Sequence, residues 1–241
     1  MGDKVWDVIV VGAGNAASCA ALSAAEQGAR VIMLERSPED EAGGNSRFTA
    51  GSMRVVYDGV EDIKKFVPDL SETEIETTDF GTYTQDQFFD DIFRVTQFRT
   101  DPDLAELLVT RSRDTVIWMR EKGVRFVPIY GRQAFKIDGR FKFWGGLTVE
   151  TVGGGVGLVE SLHDAARRDG VEIHYDTRVL SLIHDGVRVD GVRVKQGGEI
   201  RDIHGNTVVL AAGGFQANPE WRTRYLGPGW DMAKVRGTRY N

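Results

Sequence analysis

Val8-Ile9-Val10-Val11-Gly12-Ala13-Gly14-Asn15-Ala16-Ala17, with Glu35 closing the next apolar run, is the stretch on which the fold turns. Residues 5–11 are apolar apart from Asp7, which suits a parallel strand covered by helices on both faces. From Asn15 to Gln27 the residues are small and helix-compatible, and Gly28 sits where a left-handed C-cap would end the helix. Arg30-Val31-Ile32-Met33-Leu34-Glu35 then reads as the second strand. Gly12 permits the tight bend, Gly14 removes the Cβ that would hold a pyrophosphate off the backbone, and Ala17 lets helix and strand pack closely. The amides of Asn15, Ala16 and Ala17 open the helix toward the anion. Glu35 follows the turn by about twenty residues, the spacing at which a carboxylate accepts hydrogen bonds from a ribose diol and repels a 2′-phosphate. This is a dinucleotide-binding reading, with NAD and FAD both open at this point.

Working outward, residues 41–53, Glu-Ala-Gly-Gly-Asn-Ser-Arg-Phe-Thr-Ala-Gly-Ser-Met, are too rich in glycine and small polar residues for a core element. They suit close backbone approach to a ligand, although a flexible loop has the same composition. The segment Val171–Gly214 separates the two cofactors. Val171–Tyr175 reads as a strand, residues 178–184, 186–194 and 199–204 alternate as a three-stranded meander, and Thr207–Gly214 returns as a buried strand ending in small residues. An NAD-binding fold has no reason to interpose a meander there. FAD domains of the two-dinucleotide-binding type do.

Gly43-Gly44-Asn45-Ser46 and Thr49-Ala50-Gly51-Ser52-Met53 carry a definite resemblance. The chain resembles the FAD-dependent fumarate reductase and succinate dehydrogenase flavoprotein family, whose second-strand acid is followed by a GGN segment and an Ala-Gly-Gly turn beside the flavin. Ser52 replaces the usual second glycine. The resemblance implies an α/β, Rossmann-like FAD-binding domain with a three-stranded meander and a helical insertion. It divides the chain into a βαβ unit and flavin-side loop over 1–53, an insertion over 54–150, the rest of the FAD domain over 151–215, and a connection toward a capping domain over 216–241. It also implies cofactor contacts at Arg36, Gly44, Asn45, Ser46, Thr49, Ala50 and Gly51, an adenine contact at the Val179 backbone, and a further turn at Ala211-Ala212-Gly213. Gly154 and Gly155 would lie on the substrate side. Members that bind FAD covalently use a histidine early in the chain; none of the four histidines here precedes His163, so the implied FAD is noncovalent.

By the same resemblance the activity is dehydrogenation or reduction of a C–C bond in a small carboxylic acid, with an electron-transfer protein or quinone as the other partner. The Gly43–Thr49 run and the ending Arg236–Asn241 look closest to tricarballylate dehydrogenase-like members. The 241 residues correspond to the N-terminal half of a member, and the proton-transfer and substrate-binding residues are expected beyond them. A 3-ketosteroid dehydrogenase-like flavoenzyme and a non-catalytic dinucleotide-binding fragment are the alternatives.

Composition fits a globular enzyme. A net charge of −6 and pI near 5.3 argue against a nucleic-acid surface, and the basic residues from Arg111 to Arg125 are interrupted by Asp114 and Glu121. Cys19 is the single cysteine, so no intrachain disulfide can form and a cytoplasmic setting is expected. No apolar run reaches membrane-span length, and Met1–Lys4 leads into the first strand without a signal-peptide core. In the insertion, Thr84–Gln97 reads as a helix with Phe88, Phe89, Ile92 and Phe93 on its apolar face. A second helix behind Asp101-Pro102 carries Leu104, Leu107, Leu108, Trp118 and Met119 at helical spacing, and Val124–Trp144 reads as an irregular hairpin. The histidines show no metal-ligand spacing and are expected on strand or helix surfaces.

Overall fold

The computed structural model describes residues 5–241; the Met1–Lys4 start lies outside the described residues. Two compact units divide the chain, one running through Thr49 and resuming at Gly155, the other Ala50–Gly154.

The first unit is built on β1 (Trp6–Val11), α1 (Asn15–Glu26), β2 (Val31–Leu34), α2 (Gly154–Arg168), β3 (Glu172–His174), β4 (Thr177–His184), β5 (Val189–Gln196), β6 (Glu199–Leu210) and α3 (Pro219–Leu226). One six-stranded sheet runs β3-β2-β1-β6-β5-β4. Its β3, β2, β1 and β6 pair in parallel, and β6, β5 and β4 pair antiparallel. The continuous apolar run of β1 is buried because both sheet faces are covered. Helix α1 packs on β1 and β2. Against the other face, Trp6, Ile9, Val11, Ile32 and Leu34 form one cluster with Val192, Val194 and Ile203. That second cover is the meander, which corrects the expectation of helices on both faces.

A second correction concerns β6. The sequence reads as two strands broken near Gly205-Asn206, yet Glu199–Leu210 is continuous. Its first half pairs with β5 up to His204 and its second half with β1 from Gly205 onward. Gly205 makes the passage because a Cβ there would come within 2.8 Å of the Ile9 side chain. The end of the strand is not buried as its apolar residues suggest: Leu210 is 65% exposed.

Helix α1 holds one unfavourable group. Ser18 is buried, and among the described residues its Oγ has no hydrogen-bond partner. Ser18→Ala removes that unpaired hydroxyl and adds the better helix former, so it is expected to stabilise by about 1 kcal/mol and raise the melting temperature by about 2–4 °C. Thermal unfolding followed by circular dichroism checks this, and a lower melting temperature rejects it.

The second unit holds helices Gly59–Phe66, Glu72–Thr77, Gln85–Thr96 and Pro102–Glu121 with short two- and three-stranded sheets. Thr84 and Gln87 form a reciprocal capping box, and Asp101 accepts from the amides of Asp103 and Leu104 ahead of Pro102. The long helix buries Ala105, Val109, Ser112, Val116 and Met119, whereas Leu104, Leu107 and Leu108 are more than half exposed. The hairpin is smaller than expected: Ala134–Ile137 pairs with Arg140–Phe143, while Phe126–Pro128 joins a separate sheet with Val149–Thr151. Among the described residues no helix is long and apolar enough to cross a membrane.

Candidate functional site

The turn between β1 and α1 is fixed from two sides. The Gly12 amide donates to the Leu34 carbonyl and the Ala211 amide to the Val11 carbonyl, each at 2.9 Å. Gly12 takes φ +109°, and a Cβ on it would lie 2.5 Å from the Ala211 carbonyl oxygen. Only glycine meets both conditions. Gly14 is the N-cap of α1 and brings no side chain to it. The Asn15 amide donates to Ser46 Oγ at 3.0 Å, which leaves the first-turn amides of Ala16 and Ala17 without a side-chain cap. Ala16 is exposed at this helix start and Ala17 is fully buried beneath it. The helix dipole and these donors face whatever lies before Gly14.

Glu35 stands one residue past β2. Its amide donates to the His174 carbonyl at 2.9 Å, and its carbonyl accepts from the Thr177 amide at 2.8 Å. Glu35 is 7% exposed, and its Oε1 accepts from the Ser37 amide at 2.8 Å. Among the described residues Oε2 has no hydrogen-bond partner. One oxygen is thereby anchored and the other is left for a ligand hydroxyl. Val179 follows two residues after Thr177 in β4, half-buried and packed on the sheet core.

Gly43 and Gly44 take positive φ and open a short 3-10 turn, Gly44–Phe48, that passes the helix start. A Cβ on Gly14 would sit 3.3 Å from the Gly43 carbonyl oxygen. Helix α2 abuts the same turn: the Gly155 amide donates to the Thr49 carbonyl at 2.9 Å, and a Cβ on Gly155 would come within 2.1 Å of the Ser46 carbonyl oxygen. The Asn45 carboxamide is held by Gln216 at 3.3 Å and by the Thr238 amide at 3.0 Å. Arg36 donates to the Tyr240 carbonyl at 3.0 Å, and Asn241 donates to the Gly214 carbonyl at 2.7 Å, just beyond Ala211-Ala212-Gly213.

The first unit therefore gathers Gly12, Gly14–Ala17, Glu35, Arg36, Gly44–Ser46, Thr49, Gly155 and Ala211–Gly213. Ala50, Gly51 and Gly154 belong to the second unit. There Gly51 accepts from the Thr151 amide at 3.0 Å, and Thr151 Oγ1 donates to the Gly154 carbonyl at 2.7 Å. Cys19 is an unreactive thiol, pushed up to about 11 by burial. No group of histidine, cysteine or carboxylate residues among the described residues could hold a metal ion.

Sequence reading missed Ser37, the Thr238–Asn241 segment and His163. The last is a correction: His163 is 5% exposed, and its Nε2 lies 2.8 Å from the Ala13 carbonyl. The signal was its position, four residues after Val159 and next to Leu162 on the apolar stripe of α2.

The model of the FAD binding domain family matches residues 7–233. The chain belongs to that family. Its cofactor is FAD, and its architecture is the α/β FAD-binding domain. The sequence is similar to a fumarate reductase (cytochrome) of Shewanella frigidimarina, 29% identical over 89% of this chain and 34% of the relative. The fold is similar to the open conformation of a flavocytochrome c3 fumarate reductase at TM-score 0.74 and 25% identity, covering 99% of this chain and 39% of that one. A 3-ketosteroid Δ1-dehydrogenase from Sterolibacterium denitrificans shares the fold at TM-score 0.77 and 19% identity, over 98% of this chain and 53% of that one. The chain spans between 18% and 39% of the length of the curated relatives it matches. The residues present fit FAD: a helix start whose N-cap Gly14 brings no side chain, with no Cβ at Gly12 or Gly14, suits a pyrophosphate, and a half-engaged carboxylate at Glu35 suits a ribose.

Proposed function

We propose that the chain is the FAD-binding portion of an oxidoreductase acting on a C–C bond of a small carboxylic acid of the succinate, fumarate or tricarballylate type. The observation that carries the site is the junction of Gly12–Ala17, Ser46 and Glu35 in one cradle. The substrate class rests on the similarity to fumarate reductase. In this reading Gly12, Gly14 and the amides of Ala16 and Ala17 bind the diphosphate, Asn15 stands beside them with its amide held by Ser46 Oγ, and Glu35 binds the adenosine ribose. Arg36 and the Val179 backbone flank the adenine. Gly44, Asn45, Ser46, Thr49 and Ala211–Gly213 line the flavin half within the first unit and Gly155 faces the substrate; for Ala50, Gly51 and Gly154 a flavin-side or substrate-side place rests on the family resemblance alone. FAD when bound supplies a two-electron carrier for the C–C bond. The chain's own residues hold it noncovalently.

The functional division follows the same reading: 1–53 and 151–215 as the FAD domain, 54–150 as an insertion and 216–241 as a connection. An electron-transfer protein or quinone completes the cycle, and the single cysteine favours a cytoplasmic setting. The test is anaerobic spectroscopy of FAD-loaded protein in which these 241 residues are joined to the proton-transfer and substrate-binding residues expected beyond them. Flavin absorbance is expected to bleach with succinate or tricarballylate, or to return with fumarate after chemical reduction. A response to a 3-ketosteroid but to no carboxylate overturns the substrate class, and protein that takes up no FAD overturns the whole reading.

A further inference from the structure

The turn that faces the diphosphate is gripped from behind. His163 Nε2 lies 2.8 Å from the carbonyl oxygen of Ala13, a residue 150 positions earlier, and His163 is 5% exposed. A carbonyl only accepts, so Nε2 carries the proton. In the neutral ring Nδ1 is then an acceptor, and the Tyr175 hydroxyl lies 3.4 Å from it. Arg167 Nη2 donates to the same hydroxyl oxygen at 2.9 Å, which leaves the tyrosine proton for the imidazole. Arg167 is itself held by Glu39 and by Asp164. A relay Arg167, Tyr175, His163, Ala13 thus runs from the surface to the back of the turn.

The groups facing the ring are Arg167 and Asp164 on its own helix, Tyr175 after β3 and Glu35 after β2. Burial pulls the His163 pKa below its ordinary value, against the Ala13 contact. The ring is neutral at pH 7.

The peptide joining Ala13 to Gly14 is planar and trans, so its C=O and N–H point in opposite directions. A carbonyl pinned toward His163 sends the Gly14 N–H the other way, and among the described residues that N–H donates to no protein group. A peptide preceding glycine flips at little steric cost. The flipped form would turn a carbonyl dipole toward the diphosphate and remove a donor. We propose that His163 is a positioning residue that locks the Ala13–Gly14 peptide in the orientation that binds the diphosphate of the cofactor. This rests on the reading of the turn as a diphosphate site.

The test compares His163→Leu with His163→Gln, whose carboxamide keeps an N–H donor. Affinity for FAD, followed by flavin fluorescence, is expected to fall about 30-fold in His163→Leu and to recover to within about threefold of the parent in His163→Gln. ADP, which keeps the diphosphate and lacks the flavin, is expected to follow the same pattern. The melting temperature of the apoprotein separates a lost lock from a lost fold. Equal weakening by both variants, or none by either, overturns the proposal. Nitrogen-15 NMR of the histidine-labelled parent gives a second readout that needs no variant: a protonated Nε2 and bare Nδ1 are expected, and the reverse tautomer overturns the lock. A parent that binds no FAD defeats the site reading, whereas a parent that binds FAD beside an unaltered His163→Leu defeats only the lock.

Discussion

Gly12→Ala is expected to weaken FAD binding about 100-fold. Two independent costs meet at that position. Alanine at φ +109° sits in the left-handed half of backbone space, a strain of about 1–2 kcal/mol. Its Cβ would also lie 2.5 Å from the Ala211 carbonyl oxygen and 3.1 Å from the carbonyl carbon. These are backbone atoms and cannot rotate aside. Relief requires the end of β6 to part from β1, where the Ala211 amide binds the Val11 carbonyl at 2.9 Å, and overlap of this kind costs about 1–3 kcal/mol. The strain is borne by the fold, as at any such glycine, whereas the overlap displaces the turn that faces the cofactor, and its upper range of about 3 kcal/mol corresponds to about two decades in affinity. Gly28→Ala is the control. It has φ +81° with no atom within 4 Å of the new Cβ, so it bears the strain without the collision. It is expected to lower the melting temperature and leave the FAD dissociation constant within about threefold of the parent. Isothermal titration of both apoproteins decides the matter, and equal losses of affinity would refute the account.

The reason Gly12 was legible in the sequence is that its constraint is local. A β1 run, a Gly-Ala-Gly turn, a small-residue helix and a second apolar run lie within one βαβ unit, and the hydrogen bond from Gly12 to Leu34 closes it. The loop at Gly43–Ser46 was legible by composition, and the meander by its alternation. What sequence periodicity could not supply were the partners of each face. The helix Pro102–Glu121 carries two apolar stripes, and nothing in its period chooses Ala105, Val109, Val116 and Met119 over Leu104, Leu107 and Leu108 for burial. Gly205-Asn206 looks like a turn because the alternative, a strand bending past the Ile9 side chain, depends on a neighbour 196 positions away in sequence. His163 reads as a surface histidine until α2 is placed behind Ala13. Within the candidate site the same division holds: the spacing of Glu35 was readable, but not the Ser37 amide that fixes which of its oxygens is free.

That fixed oxygen gives Glu35→Gln a selective effect. The glutamine carbonyl oxygen can keep the 2.8 Å bond from the Ser37 amide, so the backbone after β2 retains its shape. The other carboxylate oxygen becomes an amide that donates, and the ribose diol loses a charged acceptor. A hydrogen bond to a charged group contributes about 1.5–3 kcal/mol, so FAD is expected to bind about 10- to 100-fold more weakly. FMN has no adenosine ribose, so its affinity is expected to stay within about twofold of the parent by the same reckoning. Titrating parent and variant with FAD, FMN and ADP reads this directly. ADP, which carries the same ribose, should weaken in step with FAD. If FMN weakens as much as FAD, Glu35 acts through the fold of the first unit and not through the ribose. Because Glu35 is 7% exposed and bonded through both its amide and its carbonyl, that structural outcome has a physical basis of its own. The FAD to FMN affinity ratio, and not the loss of FAD alone, is therefore the quantity that assigns the residue to the cofactor.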